Sequence, residues 1–496
     1  MLCCAAGALV VRLVHLDDRP MHTDEAVNAV IVGDMLAGQT YRYDPHDHHG
    51  PAFYYLTAPL CRALGARTLA DMDAWQIRAG AALASSAILL LLGLLPEEAS
   101  GATLGAALFF ALGAPFVFYG RYAIHESLLV FATMLAVGAG WRFWRTARLR
   151  WAALAGFGLG LAECTKESAV ATAAAIIAAL AFCSWQAPTR RMWVACRAAE
   201  LTFARRRTGA ILAAAIFLAI SLIFYSSMGR NPAGLRDAVR AFSYLSARAV
   251  GGAGHQKPWW TYLAWLARPT PLCPPWFGWL LLSCATAGAV RSFTGGRSAP
   301  LMRFFSLLSI LLLVGYSATP YKTPWLMLNF LAPLAVVAGY GLVGGWQSLS
   351  GRLRFPAGAV AACLAGLLLA RETHRLCFQY TDDPLNPYAY SPTSPDLERL
   401  PVRLDQLAAT SPQGRNILIQ VAADDYWPLP WYLRKFPRVG YWSQLPASLE
   451  GDVLVTSPDE AAAAEAALGP GWHREFFGLR ADVLILLYTR DPPPRA

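Results

Sequence analysis

Long uncharged apolar runs, separated by short polar connections, recur along most of this chain and leave few folds open to it. Crossing about 30 Å of hydrocarbon takes roughly 20 apolar residues, with about 17 to 25 tolerated. Lipid offers no partner to a backbone amide, so such runs cross as helices. Runs of this kind lie near 2–16, 77–95, 101–118, 126–144, 151–163, 168–185, 209–228, 274–290, 304–317, 325–346 and 357–371. The expected fold is a polytopic α-helical membrane protein of about eleven transmembrane helices, with membrane lipids as its surroundings. Composition agrees: 56% of residues are hydrophobic and 15% charged, against about 25% charged in soluble domains. The ten cysteines form no CxxC pair, and most sit inside apolar runs, where they pack as small hydrophobes.

The net charge of +10 is not gathered on one domain, which argues against a nucleic-acid partner. It follows the connections instead. Arg145, Arg148 and Arg150 follow the fourth run; Arg190, Arg191, Arg197, Arg205, Arg206 and Arg207 follow the sixth. Arg291, Arg297 and Arg303 follow the eighth, and Arg352 and Arg354 the tenth. All four connections fall on one side, which the positive-inside rule makes cytoplasmic. The first run lacks a basic leader, and Asp17-Asp18-Arg19-Pro20 follows it in place of a small-residue cleavage site, so a short first membrane helix is expected.

Two long segments then face outward: 17–76, and everything after about Glu372. Residues 1–371 form the expected membrane domain. A Pro-, Asp- and Tyr-rich linker is expected over 372–410, and a small extracytoplasmic α/β domain over 411–496. In that domain the pattern predicts strands at 417–421, 452–456 and 483–488, and helices near 427–435 and 458–468. It has no Gly-rich phosphate loop or nucleophile elbow. Trp427-Pro428-Leu429-Pro430-Trp431-Tyr432 can dock at the membrane surface or pack on the membrane domain.

The first outer segment is unusually polar. It opens His22-Thr23-Asp24-Glu25 and continues with Val27, Val30, Ile31 and Met35 at helical spacing. Thr23 is the expected N-cap, which puts Asp24 and Glu25 in the first turn of an amphipathic helix lying along the outer membrane surface. A carboxylate there stays ionised, and can accept a proton from an attacking hydroxyl, hold a metal, or merely cap the helix. Further on, Tyr41–Pro51 holds three histidines and two aspartates. These can bind a divalent metal (Asp24, His46 and His48 are the candidate ligands), hydrogen-bond a sugar, or form a solvated turn.

Each short outer turn carries one basic residue beside a helix end: Arg121 next to Tyr122, Lys166 next to Glu167, and Lys322 next to Tyr321. Charge near a bilayer is costly and tends to be kept for a function. Snorkelling, or pairing with Glu126 or Glu167, would account for any one of them. Three together on the side of the Asp24 segment point to an anionic ligand, with a lipid phosphate the obvious candidate. One reaction uses all these features. A sugar linked through C1 to a polyprenyl phosphate has a leaving group that needs charge neutralisation. The acceptor hydroxyl needs a carboxylate base, here Asp24. A single displacement would invert the anomeric centre.

These residues resemble those of the GT-C membrane glycosyltransferases, the group containing protein O-mannosyltransferases and lipid A aminoarabinose transferases. The features that match are Asp24-Glu25 after the first run, an outer helix, and Gly50-Pro51-Ala52-Phe53-Tyr54-Tyr55-Leu56. Arg78 opening the second run, the Arg121-Tyr122 turn and the Thr165-Lys166 turn also match. His22-Thr23-Asp24-Glu25, the His46–Pro51 stretch with His48 and His49, and Tyr426–Tyr432 are similar to a flippase-activity-associated subfamily. The resemblance implies Asp24 as base and Arg121 and Lys166 as lipid-phosphate ligands. It also implies a polyprenyl-phosphate-sugar donor and a protein or glycan acceptor. The chain departs from the aminoarabinose transferases in having His48-His49-Gly50 where they place a Glu-Lys-Pro type segment. The competing reading is a non-catalytic lipid-handling protein that assists a flippase, with the same cations but no need of a base at Asp24.

Overall fold

The computed structural model describes residues 1–46, 48–96, 99–186, 202–251, 256–294, 298–348 and 354–490. Asp47 of the His-rich loop, and Arg190, Arg191, Arg197, Arg297 and Arg352 of the basic connections, lie outside the described residues. The chain forms two compact units. One comprises Met1–His15, Thr40–Thr57 and Arg78–Tyr380, the other Leu16–Gln39, Ala58–Ile77 and Thr381–Ala496.

Every apolar run is helical. In chain order the helices are α1 (Leu2–Leu13), α2 (Thr23–Leu36), α3 (Ala52–Ala63), α4 (Ala74–Leu91), α5 (Ser100–Leu112), α6 (Ala114–Tyr119), α7 (Glu126–Thr146), α8 (Leu149–Glu163) and α9 (Ala169–Gln186). They continue as α10 (Thr202–Tyr225), α11 (Ala233–Gly251), α12 (Thr261–Ala267), α13 (Trp276–Phe293), α14 (Ala299–Ala318), α15 (Met327–Ser348) and α16 (Arg354–His374). Among the described residues six segments are long and apolar enough to cross a bilayer: 74–94, 126–146, 204–225, 299–318, 324–348 and 355–379. The run near 101–118 is two helices rather than one, broken at Gly113. The amphipathic α11 and the short α12 have no counterpart in the apolar pattern.

Helix α15 is the centre of the first unit, with 83% of its apolar window buried against 11% for the segment 204–225. Small residues make that burial possible, since lipid supplies no hydrophobic drive and close van der Waals approach must supply the attraction. A Cβ added at Gly339 would lie 2.2 Å from the Ala102 carbonyl oxygen of α5, and one at Gly341 would lie 1.9 Å from that of Cys284 on α13.

Two arginines lock α1 to the break after α5. Arg12 is fully buried and donates to the carbonyls of Ala8, Phe110 (2.7 Å) and Phe116, and to Ser85 Oγ (2.9 Å). Phe110 and Phe116 flank Gly113, where the helix is interrupted; the Phe116 carbonyl also accepts from the Gly120 amide (3.1 Å). Arg121, just after α6, returns the favour at the C-terminal end of α1. It donates to the carbonyls of Val11, Arg12 (3.1 Å), Val14 and His15 (2.7 Å).

The second unit contains a five-stranded mixed sheet in the order β2-β1-β3-β5-β4. Its strands are β1 (Ile419–Ala422), β2 (Val439–Trp442), β3 (Val453–Thr456), β4 (His473–Arg480) and β5 (Val483–Thr489). β1 lies parallel to β2 and β3, and β5 antiparallel to β3 and β4. The buried strands β1, β3 and β5 were legible as apolar runs. The edge strands β2 and β4 were not, because an edge is short, or polar on its open side. Three further helices complete the unit: α17 (Arg399–Thr410), α18 (Leu429–Tyr432) and α19 (Ala461–Leu468). Residues expected as linker are ordered here: α17 buries Leu400, Leu404 and Leu407, and Arg403 pairs with Glu475 at 2.7 Å. In the Trp427–Tyr432 run, Leu429, Trp431 and Tyr432 are buried, and Trp427 is half-buried.

Replacing Gly341 by Val should overpack the crossing with α13 and cost about 1–3 kcal/mol. A lower thermal midpoint of the detergent-solubilised protein would report it, and Gly345→Val, where nothing lies within 4 Å, is the matched control.

Candidate active site

The acidic pair sits on α2 of the second unit, and the helix starts one residue earlier than its sequence predicts. His22, not Thr23, is the N-cap. Its Nδ1 accepts from the Asp24 amide (3.1 Å), and Glu25 Oε2 accepts from the His22 amide (3.3 Å), closing a reciprocal capping box. With Nδ1 accepting, the ring proton is on Nε2 and donates to the Tyr390 carbonyl (2.9 Å). Burial lowers the His22 pKa, so the ring stays neutral and keeps the lone pair that caps the helix.

The two carboxylates have different surroundings. Glu25 is fully buried and is held by Arg19 at 3.0 Å. Asp24 is half-buried, and its carboxylate makes no hydrogen bond or ion pair with any described residue. It stands in the first turn of α2. Helix α2 packs its small-residue face into protein. Ala26, Ala29, Val32 and Leu36 are buried in the second unit, and Gly33 lies so close to Leu69 that a Cβ there would be 2.5 Å from it. Val27, Val30, Ile31 and Met35, the face expected to dock, are only half-covered.

The basic residues of the outer turns belong to the first unit, and all three are buried. Arg121 is engaged with α1 as described, and its guanidinium lies 4.3 Å over the Phe378 ring. Lys166 forms a buried ion pair with Glu126. Lys322 donates to the Thr319 carbonyl, faces the Tyr262 ring at 5.9 Å, and meets no carboxylate among the described residues. Arg78 is fully buried near the start of α4, Tyr122 stacks on Phe118 (5.7 Å), and Tyr321 pairs by backbone with Gln256.

The histidine loop packs against the turn that carries Lys166. Gly50 allows it: a Cβ would lie 2.2 Å from the Cys164 carbonyl oxygen, which also accepts from the Ala52 amide (2.8 Å). That approach brings His49 Nδ1 to Glu167 (3.0 Å), where Tyr43 Oη also donates (3.3 Å). His49 packs edge-on to His125, and His125 lies against Phe53 and Tyr54. His46 stacks on Tyr244 (3.9 Å) and His48 faces Tyr41 (6.4 Å). Among the described residues no group of three His, Cys, Asp or Glu side chains is placed to hold a metal. His46 and His48 lie in the first unit and Asp24 in the second.

Residues 37–227 match the family model for dolichyl-phosphate-mannose-protein mannosyltransferases. Over its whole length the chain superposes on ArnT from Cupriavidus metallidurans bound to undecaprenyl phosphate, with a TM-score of 0.64 and 15% identity, covering 98% of this chain and 97% of that one. The chain has the GT-C glycosyltransferase fold. A second GT-C structure, the oligosaccharyltransferase AglB from Archaeoglobus fulgidus in complex with an inhibitory peptide and a dolichol-phosphate, superposes with a TM-score of 0.58 and 12% identity, covering 93% of this chain and 69% of that one. No curated protein matches by sequence. The matched span of the mannosyltransferase model includes Arg78, Arg121, Lys166 and the histidine loop; Asp24, Glu25 and Lys322 lie outside it.

Sequence reasoning missed Arg12, Arg19 and Arg480. A lone arginine inside the first apolar run was the available signal for Arg12. Nothing local marks Arg19 or Arg480, whose partners are set by the fold.

Burial alone would raise the Glu167 pKa, but His49, the local backbone and Lys166 pull it down from 4.5 to about 2. A depressed carboxylate contributes stability that is present above pH 4.5 and lost as pH falls through about 2. The thermal midpoint of the wild type should therefore drop more steeply between those pH values than that of Glu167→Gln, which has no such proton to bind.

Proposed function

We propose that the protein transfers a sugar from a polyprenyl-phosphate donor to an acceptor hydroxyl on the extracytoplasmic side, with Asp24 as the general base. The observation that carries this reading is the contrast within the acidic pair: Glu25 is consumed by Arg19 and the helix cap, whereas the Asp24 carboxylate has no partner. An unpartnered, half-buried carboxylate at a helix N-terminus is suited to take a proton from an incoming hydroxyl. Displacement at C1 by that hydroxyl breaks the bond to the phosphate, and the leaving polyprenyl phosphate needs positive charge rather than a proton.

Lys322 is the best supported phosphate ligand, because it meets no carboxylate, whereas Lys166 is paired with Glu126 and Arg121 is engaged by carbonyls. The polyprenyl phosphates in the titles of the ArnT and AglB structures support the donor class. Arg145, Arg148, Arg150, Arg291 and Arg303 support an inner side opposite to the Asp24 segment by the positive-inside rule. The C-terminal domain is outside on the same reasoning.

Mass spectrometry of lipid-linked sugars and surface glycans in a deletion strain, complemented with variants, tests the reaction. Asp24→Asn should lower transfer by at least about a hundredfold, the usual worth of a general base. The binding of undecaprenyl phosphate to the purified variant should be unchanged. Full transfer by Asp24→Asn would instead favour the lipid-handling role. Lys322→Gln should weaken undecaprenyl phosphate binding.

A further inference from the structure

The residues immediately before Asp24 are held at several points by the C-terminal part of the chain. The Met21 amide donates to Tyr432 Oη (3.0 Å), and the Met21 carbonyl accepts from Thr393 Oγ1 (2.8 Å). His22 Nε2 donates to the Tyr390 carbonyl (2.9 Å). Arg480 Nη1 reaches Thr23 Oγ1 and the Trp427 carbonyl, each at 3.5 Å, and its guanidinium is ion-paired with Asp425. Three consecutive residues are thus tied at four points, and Met21, His22, Tyr432 and Thr393 are all buried.

The holding residues are tied to one another as well. Thr393 and Arg480 are backbone partners in an antiparallel bridge, beside the bulge between Gly478 and Arg480 in β4. The Ser394 amide donates to the Leu479 carbonyl (3.0 Å), and the Gly478 amide to Asp396 Oδ2 (2.8 Å). The bulge re-aims the Arg480 side chain at the sheet edge, as bulges commonly do. Tyr432 enters from α18, whose preceding residues carry Asp425 and the Trp427 carbonyl.

We propose that Thr393, Tyr432 and Arg480 are positioning residues, a clamp built from the C-terminal domain that fixes the turn 21–23 and thereby the direction of the Asp24 carboxylate. This rests on Asp24 being the base. A carboxylate in the first helical turn moves with its cap, and a base displaced by about 1 Å loses up to about a hundredfold in rate. The C-terminal domain therefore acts in catalysis through the base, without touching the substrate.

The test uses the full-length protein and the variants Thr393→Val, Arg480→Ala and Arg480→Lys, with Arg474→Ala as control. Arg474 lies on the same strand but forms an exposed pair with Glu465. Three measurements are made: amide hydrogen exchange over 21–29, undecaprenyl phosphate binding, and sugar transfer in the complemented strain. Thr393→Val and Arg480→Ala should speed exchange about fivefold, the worth of one hydrogen bond. They should also lower transfer at least tenfold while leaving undecaprenyl phosphate binding unchanged. Arg480→Lys should recover part of both losses, and Arg474→Ala should change neither. Faster exchange with undiminished transfer would overturn the clamp, as would a loss of transfer with unchanged exchange. Asp24→Asn is run beside them. Full transfer by that variant overturns the base assignment, whereas an inactive Asp24→Asn with fully active clamp variants overturns the clamp alone.

Discussion

A charged side chain buried in apolar surroundings must find oxygen or an opposite charge, because the cost of leaving it bare exceeds what any single packing contact returns. Most of the architecture described above follows from that constraint. Arg12 settles on the Phe110 and Phe116 carbonyls on either side of the break after α5, and Arg121 on carbonyls at the C-terminal end of α1. Lys166 settles on Glu126, and Arg19 on Glu25. The partnerships of Arg12, Arg121 and Lys166 tie together segments far apart in sequence, so these charges join helices as well as being satisfied by them.

The same constraint shows which charges are left over for chemistry. Once Glu25 is bound by Arg19 and closes the capping box, Asp24 is the carboxylate of the pair that remains unpartnered. Neutral His22 supports this division, since its lone pair caps the amide of Asp24 itself and adds no positive charge that would draw the carboxylate aside. Lys322 holds the comparable position among the cations. Two adjacent acids with the same intrinsic chemistry thus acquire different surroundings through their partners.

The second unit brings chain segments together in an order that a linear division into membrane domain, linker and tail does not capture. Residues 16–39 and 58–77 cluster with 381–496. The segment expected as a flexible connection contributes α17 and the bridge through Thr393, and the aromatic run at 427–432 faces inward to receive the chain at Met21. A C-terminal sheet that might have been an appendage is joined to the segment bearing the proposed base.

The sequence by itself determined the membrane class, the apolar helices, the buried strands β1, β3 and β5, and the presence of an acidic pair at the start of the helix that follows the first apolar run. These are legible because hydrophobic periodicity and charge placement are local properties of the chain. It did not determine that His22 rather than Thr23 caps α2, that α2 buries its alanine and glycine face in protein, or that Arg121 and Lys166 have protein partners. Those outcomes were decided by tertiary structure. Which oxygen a buried cation such as Arg12 or Arg121 meets depends on residues about a hundred positions away, and no local pattern encodes that distance.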